Sequence, residues 1–317
     1  MQSNLDALRA MIDPLTPLFV LVDPMVGEPM SGIGNPEPGS DPTEHRAGSW
    51  HREVVPVMLA NNIALPPHQH PYLIQLQGPE DPLLELTLEL AEGEQQAAQA
   101  SGLDGNGRAA HRIGGWLQSS MRGPELGDLI SGMCRVNTEA PTRATYLRLA
   151  DRRVLDLLRH VVGDERVVSQ LGRVQRWIYL NANCDLCALR SPNEQSELVR
   201  LNEAEWKRME SGALLHQIIA HYLGEPGLRE AEIAPPTFLA AEKALINAKD
   251  AARRWPHRFD GDIDYAVWAA LTLWRPATTE FQAVRKLLDD LGSTEEPAET
   301  VSYLHRDIVA LIQNAGL

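Results

Sequence analysis

The chain has 317 residues, 44% of them hydrophobic and 23% charged. That is enough for two hydrophobic cores, and it excludes a wholly disordered protein. Forty-three acidic residues against 29 Lys and Arg leave a net charge of −14, so the surface repels phosphate backbones and nucleic acid is not an expected partner. No segment reaches the ~20 apolar residues of a membrane-spanning helix, and membrane insertion is not expected. The first residues lack a basic signal-peptide start, and three cysteines do not suit a disulfide framework; the expected location is cytoplasmic.

After a short helical lead-in, Leu18-Phe-Val-Leu-Val22 reads as a buried strand ended by Asp23-Pro24. Residues 27–50 contain Gly27, Pro29, Gly32, Gly34, Pro36, Pro38, Gly39 and Pro42, so a long irregular loop is expected there. Glu53–Leu59 and Tyr72–Leu76 are the next strands, separated by the turn-rich Pro66–Pro71. Asp81 then stands as an N-cap with Pro82 at the first helical position, followed by Leu83, Leu86 and Leu90 on one face. The polar segment 92–112 ends that helix. Gly114–Ser120 predicts a strand, and Pro124 opens a helix whose stripe is Leu126, Leu129, Ile130 and Met133. Thr145–Leu149 predicts another strand, Asp151 caps a helix bearing Val154, Leu155, Leu158 and Val161, and Gly172–Leu180 predicts a closing strand.

From Ser191 onward the apolar period is helical. Asn202 and Glu205 form a capping box, and Trp206, Met209, Ile218 and Tyr222 lie along a helix ending at Gly224. Thr237, Asp262 and Thr278 mark further helix starts. Phe281, Val284, Leu288 and Leu291 form one stripe, and Val301, Leu304, Ile308 and Leu311 another. The expected fold class is α+β. An α/β-type lobe with a small mixed sheet and packed helices spans residues 1–190, and an all-helical lobe of about five helices spans 191–317.

Chemistry-bearing motifs are sparse. There is no G-x-S-x-G elbow, H-E-x-x-H helix, phosphate-binding loop or dinucleotide fingerprint, and Gly102–Gly107 has no lysine behind it. Cys184-Asp-Leu-Cys187 has the spacing of half a zinc site, but only Cys134 and scattered histidines such as His68 and His70 could complete it. No catalytic residue, cofactor or metal ligand is therefore assigned.

The ordered pieces of the N-terminal half resemble a bacterial family, the type VI secretion effector chaperones or adaptors, over roughly residues 18–190. Leu18–Asp23 is similar to the family's opening strand ending in aspartate. Pro71–Leu76 with Asp81-Pro-Leu-Leu84 resembles the second strand and helix, and Gly115-Trp-Leu-Gln-Ser119 with Glu125–Leu129 the third such unit. Arg148-Leu-Ala-Asp151-Arg-Arg153-Val-Leu155 resembles the family's arginine, aromatic pair, Asp-Pro-Arg-Val-Leu element, and Leu171–Val174 with Trp177 the segment after it. Leu149 and Ala150 replace the aromatic pair, Arg152 replaces the proline, and the 27–50 loop is longer than the pattern.

The resemblance implies a non-enzymatic adaptor that binds a secreted effector toxin and loads it onto the spike protein (VgrG-type) of the injection apparatus, without a cofactor. The alternatives are a metal-dependent hydrolase built on His68 and His70, or a structural component of an oligomeric assembly. Arg148, Asp151, Arg153 and Trp177 are motif residues, and Trp255, Trp268 and Trp274 are candidates for partner contact. For the polar trio the physical expectation is a helix cap at Asp151, with the arginines forked onto carbonyls or onto Asp151 itself.

Overall fold

A computed structural model of the chain describes residues 4–30, 33, 41–59, 63, 65–100, 111–138, 143–224, 236–290, 292 and 298–314. Much of the predicted 27–50 loop, the Gly102–Gly107 run, Pro235 and Leu291 lie outside the described residues. The described chain divides into two units. The first runs to Gln96 and then from 111 to Glu210; the second takes the end of the helix that crosses Ala97 and everything from Ser211 on.

The first unit contains α1 (Asn4–Met11), β1 (Leu18–Val22), α2 (Pro42–Trp50), β2 (Val54–Pro56), β3 (Tyr72–Leu76), α3 (Pro82–Ala100) and β4 (Ile113–Ser119). It continues with α4 (Gly123–Met133), β5 (Arg135–Thr138), β6 (Arg143–Tyr146), α5 (Arg152–Val162), α6 (Asp164–Ser169), β7 (Val174–Leu180), β8 (Leu186–Arg190), β9 (Arg200–Leu201) and α7 (Glu203–Glu210). Six strands form one sheet in the order β2-β3-β1-β4-β7-β8, and every neighbouring pair is antiparallel. Three form a second sheet, β6-β5-β9, in which β5 and β9 are parallel. The expected mixed sheet is thus confined to the smaller one. β1 is central, and all five of its residues are buried, as its unbroken apolar run requires.

Alternation along the strands sorts side chains to two covered faces. On one face Val20, Tyr72, Ile74, Trp116, Ile178 and Leu180 pack with Leu8 of α1, with Ile12 just after it and with Leu84, Leu88 and Ala91 of α3. Each such fully buried aliphatic contributes about 1.5–3 kcal/mol. Trp116 Nε1 donates to Thr87 Oγ1 at 3.0 Å, so the indole brings its polar edge into the core satisfied. Opposite, α4 lies against β2 and β3, and α5 against β4.

The loop expected over 27–50 is corrected in its described last part. Asp41 accepts from Thr43 N at 2.8 Å and Pro42 opens α2, the same aspartate–proline start that Asp81 and Pro82 give α3. The first unit also runs past residue 190, where the helical lobe was expected to begin. Arg200 and Leu201 pair with β5, and α7 packs on α5. The long helix expected over 203–224 is two helices, α7 and, in the second unit, α8 (Gly212–Gly224). The predicted capping box is present: Asn202 N donates to Glu205 Oε2 at 3.0 Å and Glu205 N to Asn202 Oδ1 at 2.9 Å.

The second unit contains α8, α9 (Phe238–Arg254), α10 (Asp262–Trp274), α11 (Gln282–Asp289) and α12 (Val301–Asn314). α10 packs against α8, α9 and α12, and it buries Ala266, Val267, Trp268, Ala269, Ala270 and Leu271. A helix apolar almost all round belongs in the middle of a bundle, and its alanines let neighbours approach. Thr237 caps α9 as expected, accepting from Ala240 N at 3.2 Å. The start expected at Thr278 is a short 3-10 turn, Pro276–Glu280, before α11.

Candidate functional site: a buried arginine–carboxylate network

The motif residues of the first unit meet where β1 ends. Asp23 N donates to Arg112 O at 2.7 Å, and Asp23 Oδ1 accepts from Met25 N at 3.0 Å, which turns the chain away from the sheet. Its Oδ2 accepts from Arg148 Nε at 2.5 Å. Arg148 lies in the tight turn that leads from β6 into α5, closed by Asp151 N donating to Arg148 O at 2.9 Å.

That turn sits directly on β4. A Cβ at Gly114 would come within 2.3 Å of Ala150 O, and one at Gly115, where φ is +131°, within 2.3 Å of Ile178 O. Only glycine admits both approaches. Trp177 then donates from Nε1 to Gly114 O at 3.2 Å.

Asp151 caps α5 as expected: Oδ1 accepts from Arg153 N and Nε, both at 3.0 Å, and Oδ2 accepts from Arg153 Nη2 at 2.6 Å. Burial opposes its charge, but Arg153, with help from His111 and Arg148, outweighs that and holds the carboxyl below the usual carboxylate range. Burial pushes the Asp23 carboxyl up, against the pull of Arg148.

Arg152 turns the other way, into the interior. Its Nη1 donates to Glu94 Oε2 at 3.0 Å and to Ile113 O at 2.7 Å, and its Nη2 to Ala91 O at 2.7 Å. One side chain thus ties α5 to α3 and β4. Glu94 also accepts from Arg112 N at 2.9 Å, and burial pushes its carboxyl up.

A parallel arrangement lies near α2. Arg46 donates to Glu28 Oε1 at 2.8 Å and to His68 O at 2.6 Å, and stacks 4.2 Å over the Tyr72 ring. Tyr72 donates to Glu28 Oε2 at 2.7 Å, and Trp50 Nε1 donates to the Tyr72 hydroxyl at 3.1 Å. Pro24–Glu28, His68 and Gln69 line a cleft of about 400 Å³ beside this cluster.

These assemblies orient and anchor. Asp23, Asp151 and Arg152 are buried, while the Arg148 and Arg153 side chains keep 19% and 21% of their surface exposed. Both arginines reach the surface in part, although in Arg148 the Nη2 atom is buried and Nε is held by Asp23. Cys134 lies close by, its thiol pushed up to about 12 by burial. Cys184 sits in the β7–β8 turn with φ of 65° and Cys187 lies on β8, and burial pushes both thiols up. His70 is buried with Nε2 3.0 Å from Leu65 O. Among the described residues no set of three or more His, Cys, Asp or Glu is placed to hold a metal.

Trp177 and Trp268 are fully buried, and Trp255 nearly so. Trp255 donates from Nε1 to Asp289 Oδ1 at 2.7 Å and packs edge-on to Trp268, which also meets Phe259 edge-on. Trp255 and Trp268 are thus corrected from contact candidates to packing residues, and the motif residue Trp177 is core as well. Trp274 is half-buried, with the Arg275 guanidinium 5.3 Å from its ring, and remains at the surface. Arg46, Glu28, Glu94 and Arg152 were not foreseen. Charged residues read as surface until a distant partner is known, although the Asp41-Pro42 pair was available as a signal for α2. The chain matches no family model, no curated protein and no solved structure.

Proposed function

We propose that the protein is an adaptor of type VI secretion, which holds an effector toxin and hands it to the spike protein. The observation that carries this reading is convergence. The residues on which the family resemblance rests include Asp23, Arg148, Asp151 and Trp177, scattered over 155 positions of sequence; the first three are joined by ion pairs, and Trp177 donates to Gly114 O, whose residue packs on Ala150 beside them. Such a cluster is a scaffold for the surface beside it, here the exposed parts of the Arg148 and Arg153 side chains.

The mechanism is equilibrium binding. Burial of apolar surface that the free toxin exposes supplies the energy, over a standard interface of ~1,600 Å², and transfer to the spike drives release. No cofactor takes part. The test is a tagged pull-down from the native host's lysate with mass spectrometry, using the wild-type chain and the Arg148→Glu/Arg153→Glu variant. A toxin or spike protein recovered near one to one with the wild type, and depleted with the variant, supports the adaptor. Self-association alone, or recovery of bound metal with hydrolytic activity, overturns it.

A further inference from the structure

The two ends of the large sheet are finished differently. β2 is only three residues long, ends at Pro56, which has no N–H to offer, and is covered by α4, where a Cβ at Gly127 would lie 3.1 Å from Pro56 O. Sheet edges protected in these ways do not recruit further strands.

β8 has helices α1 and α6 against it, but it is neither shortened nor ended by a proline. It pairs with β7 in continuous register over Leu186–Arg190, with no proline and no bulge. Ser191 N donates to Gln175 O at 3.2 Å and Asn181 N to Asp185 O at 3.0 Å. Those pairs fix the alternation, so Cys187 and Leu189 turn their backbone groups toward β7, while Leu186, Ala188 and Arg190 turn theirs outward. Ala188 and Arg190 are exposed.

Charge marks the same edge. Arg190 stands directly opposite Arg176, a like-charge pair that is destabilising on neighbouring strands. Asp13 partly offsets Arg176, but Arg190 forms no ion pair among the described residues. In a chain of net charge −14 this arginine pair at a strand edge is a local excess of positive charge.

We propose that the outer edge of β8 receives an extended acidic segment of a protein partner as an added strand, with an acidic side chain set against Arg190 and Arg176. The outward N–H and C=O groups supply affinity, and the arginines select the segment. A second copy of this chain fits less well. Antiparallel pairing about Ala188 would set Arg190 against Leu186 of the copy and bring two net-negative chains together. The inference deepens the adaptor reading by naming the chemistry of the held segment, and rests on it only for calling the partner a toxin.

The test uses the full chain and fluorescent peptides of about nine residues with alternating Val and Thr, carrying either Glu or Lys on one face. The Glu peptide is expected to bind at least about tenfold more tightly than the Lys peptide. Binding is expected to fall by about the same factor or more in Ala188→Pro, and the Glu preference to disappear in Arg190→Glu. The Leu186, Ala188 and Arg190 amides should gain hydrogen-exchange protection on binding. Circular dichroism reports whether Ala188→Pro folds; if it does not, Arg190→Glu, a change at an exposed side chain, carries the test. No binding, or equal binding of both peptides, overturns the proposal. Protection that rises with protein concentration and without peptide assigns the edge to a second copy and also overturns it. A toxin captured equally well by the folded Ala188→Pro chain would leave the adaptor reading standing and remove this one. Peptide binding without toxin capture would do the reverse.

Discussion

The two units solve the same problem, charged groups in the interior, by different means. In the sheet unit buried charge meets opposite charge: Arg46 with Glu28, Arg152 with Glu94, Arg148 with Asp23. In the helical unit it meets helix ends. Arg258 donates to the carbonyls of Leu287 (2.6 Å) and Leu288 (3.3 Å), in the last turn of α11, and to those of Asp290 (2.5 Å) and Glu299 (2.7 Å). Asp264 accepts from Gly261 N at 3.3 Å at the start of α10 and from Ser302 N at 2.9 Å at the start of α12. The cation sits at a helix C-terminus and the anion at N-termini, as the macrodipole favours. Helix N-termini hold buried aspartates in the sheet unit too, Asp81 and Asp151, so what sets that unit apart is the pairing of its buried arginines with carboxylates, where a sheet offers little net dipole.

The largest test of that contrast is Arg152→Met. It removes the nearer cation of the buried Glu94, leaving only Arg112 at 3.9 Å, and should cost about 3 kcal/mol in urea unfolding, of which the double variant with Glu94→Gln recovers a substantial part. A single-variant loss below about 1 kcal/mol would remove the ionic account of the sheet unit.

Acid should act on the helical unit. Burial, with His305 adding to it, pushes the His221 ring down to about 4 from an ordinary 6.5. A base depressed in the folded state contributes stability above its unfolded value, and loses it as pH falls from about 6.5 through about 4, a change of about 3 kcal/mol in all. Hydrogen exchange of the full chain at pH 7 and pH 4.5 should show α8 and α12 loosening first, and His221→Leu should flatten the response. Asp151 behaves oppositely in range. Its carboxyl is held low, so its contribution is present above the ordinary carboxylate value and is lost only as pH falls below that value. Equal loosening of both units across this interval would contradict the assignment.

Arg258→Ala should cost about 2 kcal/mol by stranding carbonyls at the end of α11, with exchange increased there and around α12. The smallest effect is expected at Asp151→Ala, on the order of 1 kcal/mol through the lost cap. Arg153 reaches solvent and Arg148 keeps Asp23, so no buried charge is abandoned. On the proposed adaptor reading, a loss of partner capture much larger than this stability change would place Asp151 in the presentation of the binding surface and not in the cap alone.

Elements with a local signature were legible. The apolar run of β1, the aspartate–proline start of α3, the caps at Asp151 and Thr237 and the Asn202–Glu205 box all depend on residues within a few positions of one another. β5, β8 and β9 were less so, and β6 (Arg143–Tyr146) only overlaps the start of the strand expected over Thr145–Leu149, since these are short strands of mixed polarity that exist because a neighbour pairs with them. The break between α7 and α8 likewise escaped a period that continues across Ser211-Gly212.

No membrane-spanning helix was expected, and no described helix is long and apolar enough to cross a membrane. By itself, then, the sequence determined the α+β class, the helical character of the second half and the residues that cap its helices, because hydrophobic period and capping act over one or two turns. Only the tertiary structure decided that Arg152 is an interior anchor, that Trp255 and Trp268 are core, and that β8 is an open edge. Each of these depends on a partner remote in the chain, such as Glu94, 58 positions from Arg152, or on the lack of one at the end of a sheet.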